Sequence, residues 1–384
     1  MTAAPRLASA DELETWDQQT VATPAGHVYQ SRTWGEQRAR LGWTPLHVVV
    51  DEDHRALVLL RRAPLVGTAS AYIPRGPVAT AADGSAAAER LGVLTRWLAD
   101  EHGVVVLATD AEVPAAASDY RDGLRAAGFH AIPEIQPSRH RISLELPAGA
   151  DDDAVRSGVT KSTRQRFERA ARDGIVITRF DAGGWREPGG ATEPGDATPS
   201  DGPLFASPDQ GATEGALEGF ADLLTDTGIR RGFRFGPRSV FLDWWRAGLA
   251  QGLVVYLAAH DPADAGRTLG GLLLYRHGER LSTVHSGDVA DIREQHPGIM
   301  HLLRWRAIQL AIRESRTEMD LGGVDVGPDH EEPTPNTPMA GLYEHKRSFG
   351  ASWVAMTGAH ERVADPLRAG VGRLATRIGR TVRR

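Results

Sequence analysis

LVVYLAAHDPADAGRTLGGLLLYRHGERLSTVHS, residues 253–286, holds three strand-like runs: Leu253–His260, Leu269–Arg276 and Arg280–Ser286. Each has the length and the branched or aromatic content of a buried strand. A periodic helix at His301–Glu314 and a short strand at Glu318–Leu321 follow. Strands that give way to a helix and then a further strand mark an α/β or α+β protein. The first half of the chain has the same order. His47–Val50 and Ala56–Arg61 read as strands, and Ser85–His102 as an amphipathic helix with Leu91, Leu94 and Leu98 at helical spacing. Val104–Ala108 is the next strand, Asp119–Ala127 a shorter helix ended by Gly128, and Arg141–Leu146 the strand that closes the half.

Pro147–Asp153 is a linker by composition. Beyond it stands a basic helix, Val159–Arg172, stopped by Gly174 as a C-cap glycine stops one, and then strand Ile175–Phe180. Asp181–Ala212, rich in Gly, Pro, Asp, Thr and Ser, reads as a long flexible loop. Helices through Glu214–Thr225 and Phe241–Ala250 lead into the three strands, and Asp325–Thr337 is an acidic, Pro-rich loop. Two tandem α/β modules are expected, residues 1–148 and 149–361. Arg362–Arg384 reads as a basic amphipathic helix that packs back on the first module or touches anionic lipid.

A chain of 384 residues exceeds one ordinary core, and 41% hydrophobic with 24% charged residues is a globular composition. The absence of cysteine excludes disulfides, thiolate catalysis and cysteine-ligated metal. Met1–Trp16 carries Asp11, Glu12 and Glu14 and no apolar signal core. No apolar run approaches the roughly 18 residues of a membrane span. The expected location is the cytoplasm, with any membrane substrate met peripherally at the inner face. A net charge of −6 argues against a surface wholly given to nucleic acid. Basic residues nevertheless cluster in Lys161–Arg172, Arg230–Arg238, Arg304–Arg306 and Arg362–Arg384. Such clusters hold a small polyanion or are solvated helix faces.

Several machines are missing. Val159-Thr-Lys-Ser-Thr163 lacks the glycine a P-loop places before its lysine. Gly322–Gly327 follows a strand but runs into Pro328 rather than a helix, unlike a dinucleotide-binding turn. Pro297 and Gly298 separate His296 from His301, so no zinc motif stands there, and no G-x-S-x-G elbow occurs. With no cofactor or metal site, an enzyme of this sequence should use a substrate that is already activated. Aminoacyl-tRNA and acyl-CoA both qualify, because aminolysis of an ester or thioester needs chiefly positioning and oxyanion stabilisation.

Four segments resemble the FemABX family of non-ribosomal peptidyltransferases. Tyr29-Gln-Ser-Arg-Thr-Trp-Gly-Glu-Gln-Arg38, with Gly42-Trp43, is similar to its Q-S-x-x-W-x-x-x-K/R segment. Tyr72-Ile-Pro-Arg-Gly-Pro77 is similar to its Y-x-P-x-G-P, and Lys161–Ala170 with Gly174 to a basic helix. Asp320-Leu-Gly-Gly323, Gly341-Leu-Tyr-Glu-His-Lys346 and Phe349-Gly350 resemble D-x-G-G … G-L-x-x-F-K-x-x-F-G. The matches keep the family order from Gln30 to Gly350.

The resemblance implies two GNAT-like acyltransferase domains facing a cleft. It also implies an aminoacyl-tRNA donor and a muramyl-pentapeptide acceptor, lipid-linked or nucleotide-linked. Gly, Ala and Ser all remain open as the transferred residue, and the Gly/Pro-rich 181–212 stretch cannot form the coiled-coil arm of some members. Lys346 takes the place of the reaction-centre lysine that stabilises the oxyanion. His345 replaces the usual Phe beside it and both stacks and titrates. Arg38, with Trp34 in the same motif, falls where a basic residue contacts the acceptor's phosphates, and Arg238 is a second phosphate candidate. Asp110 matches an acidic position that holds or deprotonates the attacking amine. His285 falls where relatives carry a cleft-lining aromatic. Read without the motifs, Lys346 is a salt-bridged surface lysine, Arg38 an exposed helix arginine, Asp110 a loop cap and His285 a buried strand histidine. Two other functions stay open. Acyl-CoA-dependent N-acyltransfer is disfavoured, because Arg293–Met300 has the wrong spacing and a Pro where a pyrophosphate turn belongs. The other is a non-catalytic precursor-binding module.

Overall fold

The computed structural model describes residues 4–63, 68–136, 138–181, 204–208, 211–232 and 236–369. The chain opens with β1 (Arg6–Leu7), the short helices α1 (Ala10–Glu14) and α2 (Trp16–Thr20), a tight turn at Val28–Gln30 and α3 (Arg32–Arg40). Ser31 starts α3 by accepting the Trp34 N–H. β2 (Thr44–Val49), β3 (Arg55–Arg62) and β4 (Ala69–Ile73) form an antiparallel meander. Helix α4 (Gly84–His102) crosses over, and β5 (Val104–Thr109) returns parallel to β4. Leu91, Leu94 and Leu98 on α4 are fully buried against the sheet, each contributing about 2 kcal/mol by burial. Gly103, in the left-handed conformation, ends the helix.

After α5 (Ser118–Ala126), β6 (His130–Ala131) and β7 (Arg141–Glu145) come α6 (Asp152–Gly158), α7 (Lys161–Arg172), β8 (Val176–Phe180), α8 (Ala212–Arg231) and α9 (Arg238–Ala250). The meander then recurs as β9 (Val254–Asp261), β10 (Asp264–His277) and β11 (Arg280–Asp288). Past the short α10 (Ile292–Gln295), helix α11 (Ile299–Arg313) crosses over, and β12 (Glu318–Asp320) returns parallel to β11. The chain continues through α12 (Ala340–Arg347), β13 (Ser352–Val354) and β14 (His360–Val363). The expected strands and helices are present in both halves, and the shared order is realised as one meander-crossover unit used twice.

Each unit has a seven-stranded sheet, ordered β1-β2-β3-β4-β5-β14-β6 and β13-β7-β12-β11-β10-β9-β8. The strand order corrects the expected division at residue 148. β7, expected to close the first half, pairs with β12 and β13 in the second sheet, whereas β14 crosses back to pair with β5 and β6 in the first. Alternation of apolar residues announces a strand but not which sheet takes it, because either sheet offers an edge. Part of the linker is helical as α6, whose N-terminus Asp151 caps.

Arg362 and Val363 are strand residues rather than the start of a helix, and residues 370–384 of the expected basic helix lie outside the described residues. Most of the expected 181–212 loop lies outside them too; residues 204–208 run beside β8, with the Ala206 N–H on the Ile177 carbonyl at 2.8 Å. Helices α8 and α9 lie on the second sheet, with Phe220 tilted against Trp245 and Tyr256.

Buried charge joins the two units. Glu112, just beyond β5, pairs with Arg280 of β11, with Arg141 of β7 at 3.5 Å and with Arg75 at 3.8 Å. Arg141 continues to Glu318 at 3.8 Å. These arginines hold the Glu112 carboxyl well below its ordinary range, against the opposing effect of its partial burial.

Candidate active site

The D-x-G-G and H-K motifs meet at one point. Lys346 of α12 is only 6% exposed, and its Nζ donates to the carbonyls of Gly322 at 2.8 Å and Gly323 at 3.3 Å. An ammonium has three donors, so one N–H is left for a ligand. Both glycines are required by close approach. A Cβ on Gly322, which has φ +81°, would stand 2.9 Å from the Thr283 carbonyl; one on Gly323 would stand 2.0 Å from that of His140. Asp320 turns the chain by accepting the Gly322 N–H at 2.8 Å. Burial, together with Arg304 nearby, pushes the Lys346 amine down to about 7.

Arg304 of α11 is 2% exposed, and among the described residues its guanidinium has no hydrogen bond or ion pair. Burial lowers it to about 10. His345 faces His301, Nδ1 to Nε2 at 3.0 Å with the rings nearly perpendicular, and Arg166 of α7 donates to the same His301 nitrogen at 3.4 Å. An arginine only donates, so His301 Nε2 accepts and His345 Nδ1 carries the proton. His345 Nε2 is buried without a hydrogen-bond partner, and burial drives the imidazole far below its ordinary range. Its ring meets Phe349 edge-on at 5.7 Å, an aromatic contact that the replaced Phe would also make.

Arg38, Trp34 and, indirectly, Asp110 belong to a second place. A cleft of about 400 Å³ lies on the first sheet, walled by Trp34, Arg38, Trp43, Tyr72, Gln136 and Glu361. Tyr29, Trp34 and Arg38 stack in three layers, the rings 4.1 Å apart and the guanidinium carbon 3.7 Å from the indole centroid. The Arg38 guanidinium has no hydrogen bond or ion pair among the described residues, and burial depresses it. Asp110, at the end of β5, is 1% exposed and does not reach the cleft. It accepts the Tyr72 hydroxyl at 2.9 Å and the Arg75 N–H at 2.6 Å. Tyr72, which the quoted Y-x-P-x-G-P motif contained, is the group that lines the cleft.

A path of contacts links the two places. Arg75 Nε lies 3.7 Å from Asp110, its Nη2 donates to the Ser138 carbonyl at 3.4 Å, and Ser138 packs on Gly323 beside Lys346. Arg238 and His285 form a third group. Arg238 leads α9 and turns to α8, donating to the Glu218 carbonyl at 3.0 Å and pairing with Asp222 at 3.1 Å. His285 of β11 lies edge-on to Phe241 at 5.4 Å and 5.8 Å from Trp245, and burial lowers it to about 4. Among the described residues no cluster of His, Asp and Glu is arranged to hold a metal.

Comparison with solved structures recovers this architecture. A FemX crystal structure superposes with a TM-score of 0.72 at 16% identity, over 96% of this chain and all (100%) of that one. The chain has the FemX fold. Less similar are L-PGS from Bacillus licheniformis (TM-score 0.50, 9% identity, 96% of this chain and 97% of that one) and a conserved protein of unknown function from Bacteroides thetaiotaomicron VPI-5482 (0.51, 11%, 94% and 99%). Residues 205–347 match the family described as an acetyltransferase (GNAT) domain, which covers α8 through α12 and so includes Lys346. No curated protein matches the sequence.

Proposed function

We propose that this protein is an aminoacyl transferase that moves an amino acid from aminoacyl-tRNA to an amine on the stem peptide of a peptidoglycan precursor. The observation that carries the reading is Lys346, buried beside Gly322 and Gly323 with one N–H unspent. The acceptor amine attacks the aminoacyl ester carbonyl, the C–N bond forms, and Lys346 donates to the resulting oxyanion. Collapse breaks the C–O bond to the tRNA ribose, which leaves with a proton from the amine. Arg38 receives an anionic group of the acceptor, and Asp110 acts behind Tyr72. The FemX fold supports this choice of substrates, and Arg304 and Arg166 set a positive field suited to a nucleic-acid end near Lys346.

The turn before α11 favours tRNA over acyl-CoA. Gly298 has φ +110°, and a Cβ there would lie 2.2 Å from the Arg166 carbonyl, so α7 fills the place of a pyrophosphate. Phe167 stacked on Trp305 at 5.0 Å continues that contact along α11. No helix among the described residues is long and apolar enough to cross a membrane, and the proposed setting is the cytoplasm.

The test is transfer of label from a pool of aminoacyl-tRNAs to lipid-linked and nucleotide-linked muramyl-pentapeptide, with acetyl-CoA as a parallel donor. Label on one precursor from tRNA supports the reading and names both substrates. Acylation from acetyl-CoA alone overturns the donor, and silence from both leaves a binding module.

A further inference from the structure

Helix α7 buries Thr163, Phe167 and Ala170 and turns Lys161, Gln165, Arg169 and Arg172, at helical spacing, to the outside. Its 12 residues hold five basic side chains and one acid, Glu168, which Arg156 of α6 takes. Arg164 is spent on the Val159 carbonyl at 2.7 Å, and Arg169 pairs with Asp173 at 3.6 Å. Lys161 has no hydrogen bond or ion pair among the described residues, and Arg172 makes one long contact, Nε to the Glu168 carbonyl at 3.4 Å. From Lys161 to Arg172 the exposed row runs about 16 Å at 1.5 Å per residue. It presents no large apolar side chain, so it suits a hydrogen-bonding polyanion and not insertion into lipid.

What separates this row from an ordinary solvated face is its fixed tie to the reaction centre. The Thr163 hydroxyl donates to that of Ser348 at 2.7 Å, and the Thr160 N–H to the Ser348 carbonyl at 2.9 Å. Helix α7 is thereby fastened two residues from Lys346. Arg166, on the α11 side of the helix, donates to His301 at 3.4 Å, and His301 meets His345 at 3.0 Å. Arg304 stands one turn beyond His301, buried and without an ion pair among the described residues. We propose that the exposed face of α7 is the track for the ribose–phosphate backbone of an RNA acceptor stem, which Arg166 leads inward past Arg304 so that the 3′ end reaches Lys346. Lys161, Arg169 and Arg172 take phosphates, and Ser162 and Gln165 between them hydrogen-bond phosphate oxygens and 2′-hydroxyls. The inference rests on the proposed function in taking RNA as the donor, and adds the surface that holds it.

The experiment titrates the full chain into a labelled RNA hairpin that ends in an unpaired, non-aminoacylated CCA, followed by fluorescence anisotropy from about 50 to 200 mM KCl. The double variant Lys161→Gln, Arg172→Gln should weaken binding about ten-fold or more and make the log–log salt slope shallower by nearly two, since each phosphate contact contributes about one. Arg166→Gln should remove nearly one more. Arg125→Gln, on the exposed end of α5 in the first unit, is the control for charge alone and should change neither affinity nor slope. Melting temperatures should stay at that of the parent, and a change of packing alone would not move a salt slope. A slope that the α7 variants leave unaltered, or an equal loss in Arg125→Gln, overturns the proposal. So does a double variant that loses binding to phosphatidylglycerol vesicles while its RNA binding is intact. RNA held on α7 by a protein that transfers nothing from aminoacyl-tRNA keeps this inference and removes the proposed function. Transfer with RNA binding indifferent to α7 keeps the function and removes the inference.

Discussion

Lys346 Nζ donates to the Gly322 carbonyl at 2.8 Å, and that contact fastens α12 to the turn after β12. The lysine gives two of its three protons to backbone oxygens and leaves the third unspent. Its enclosure also sets its titration. Between pH 7 and 10.5 the unfolded chain still holds a proton on this amine that the folded chain has lost. The stability contributed here therefore rises with pH across that window, and the desolvation penalty is at its full value below it. If the cation stabilises the oxyanion, kcat should fall as pH rises through about 7. Lys346→Met should lower kcat by about 100-fold or more and flatten the stability rise, read by urea titrations at pH 7 and 10. An unaltered kcat in this variant would remove Lys346 from the chemistry.

His345→Phe tests whether the imidazole is chemical or structural. Its Nε2 is buried without a partner, and the Nδ1–H bond to His301 that the change removes leaves His301 Nε2 still accepting from Arg166, so a ring of similar shape costs little. Transfer should stay within about three-fold, and the melting temperature should hold or rise. A loss of transfer at constant stability would assign His345 a part in the reaction.

Gly323→Ala should fail for steric reasons alone. The new Cβ would stand 2.0 Å from the His140 carbonyl and 2.5 Å from Ser138 Cβ, so the turn must move and Lys346 with it. We expect a stability loss of about 2 kcal/mol, with kcat falling by more than that loss explains. Gly341→Ala, which meets nothing within 4 Å, is the control and should leave both unchanged.

Glu112→Gln breaks the charge network between the two units. Three arginines approach that carboxylate, and removing it leaves them buried without their counter-ion. About 3 kcal/mol should be lost, measured by denaturant unfolding at pH 7. The carboxyl is held below its ordinary value, so its stabilisation is present above pH 4.5 and disappears as pH falls through the folded-state value. The variant should close the gap to the parent in acid.

The sequence made the repeated strand–helix order readable because each element signs itself locally: Leu91, Leu94 and Leu98 on one helical face, apolar runs at 253–286. Its ordered motifs also singled out Lys346, Arg38 and Trp34 as candidates. It could not show that Asp110 is shut behind Tyr72, since a carboxylate at a strand end looks the same whether it faces solvent or a phenol. Tyr72 itself stood in a quoted motif, but its hydroxyl matters only once Asp110, Gln136 and the cleft are seen together. Arg238 fitted its position in the sequence, and the fold gives it partners there that no motif announces, Asp222 and the Glu218 carbonyl in the middle of α8. Arg304 and His301 share one face of α11 with ordinary core residues, and only the fold brings α12 against them.

The return of β14 to the first sheet has a meaning for synthesis on the ribosome. Residues 360–363 sit between β5 and β6, strands made some 230 to 255 residues earlier. The earlier unit therefore waits with a gap in its sheet while the later one is translated, and is sealed only when His360–Val363 emerge. A nascent chain stopped short of them offers an open strand edge to any neighbour, so its maturation is a single event for both halves.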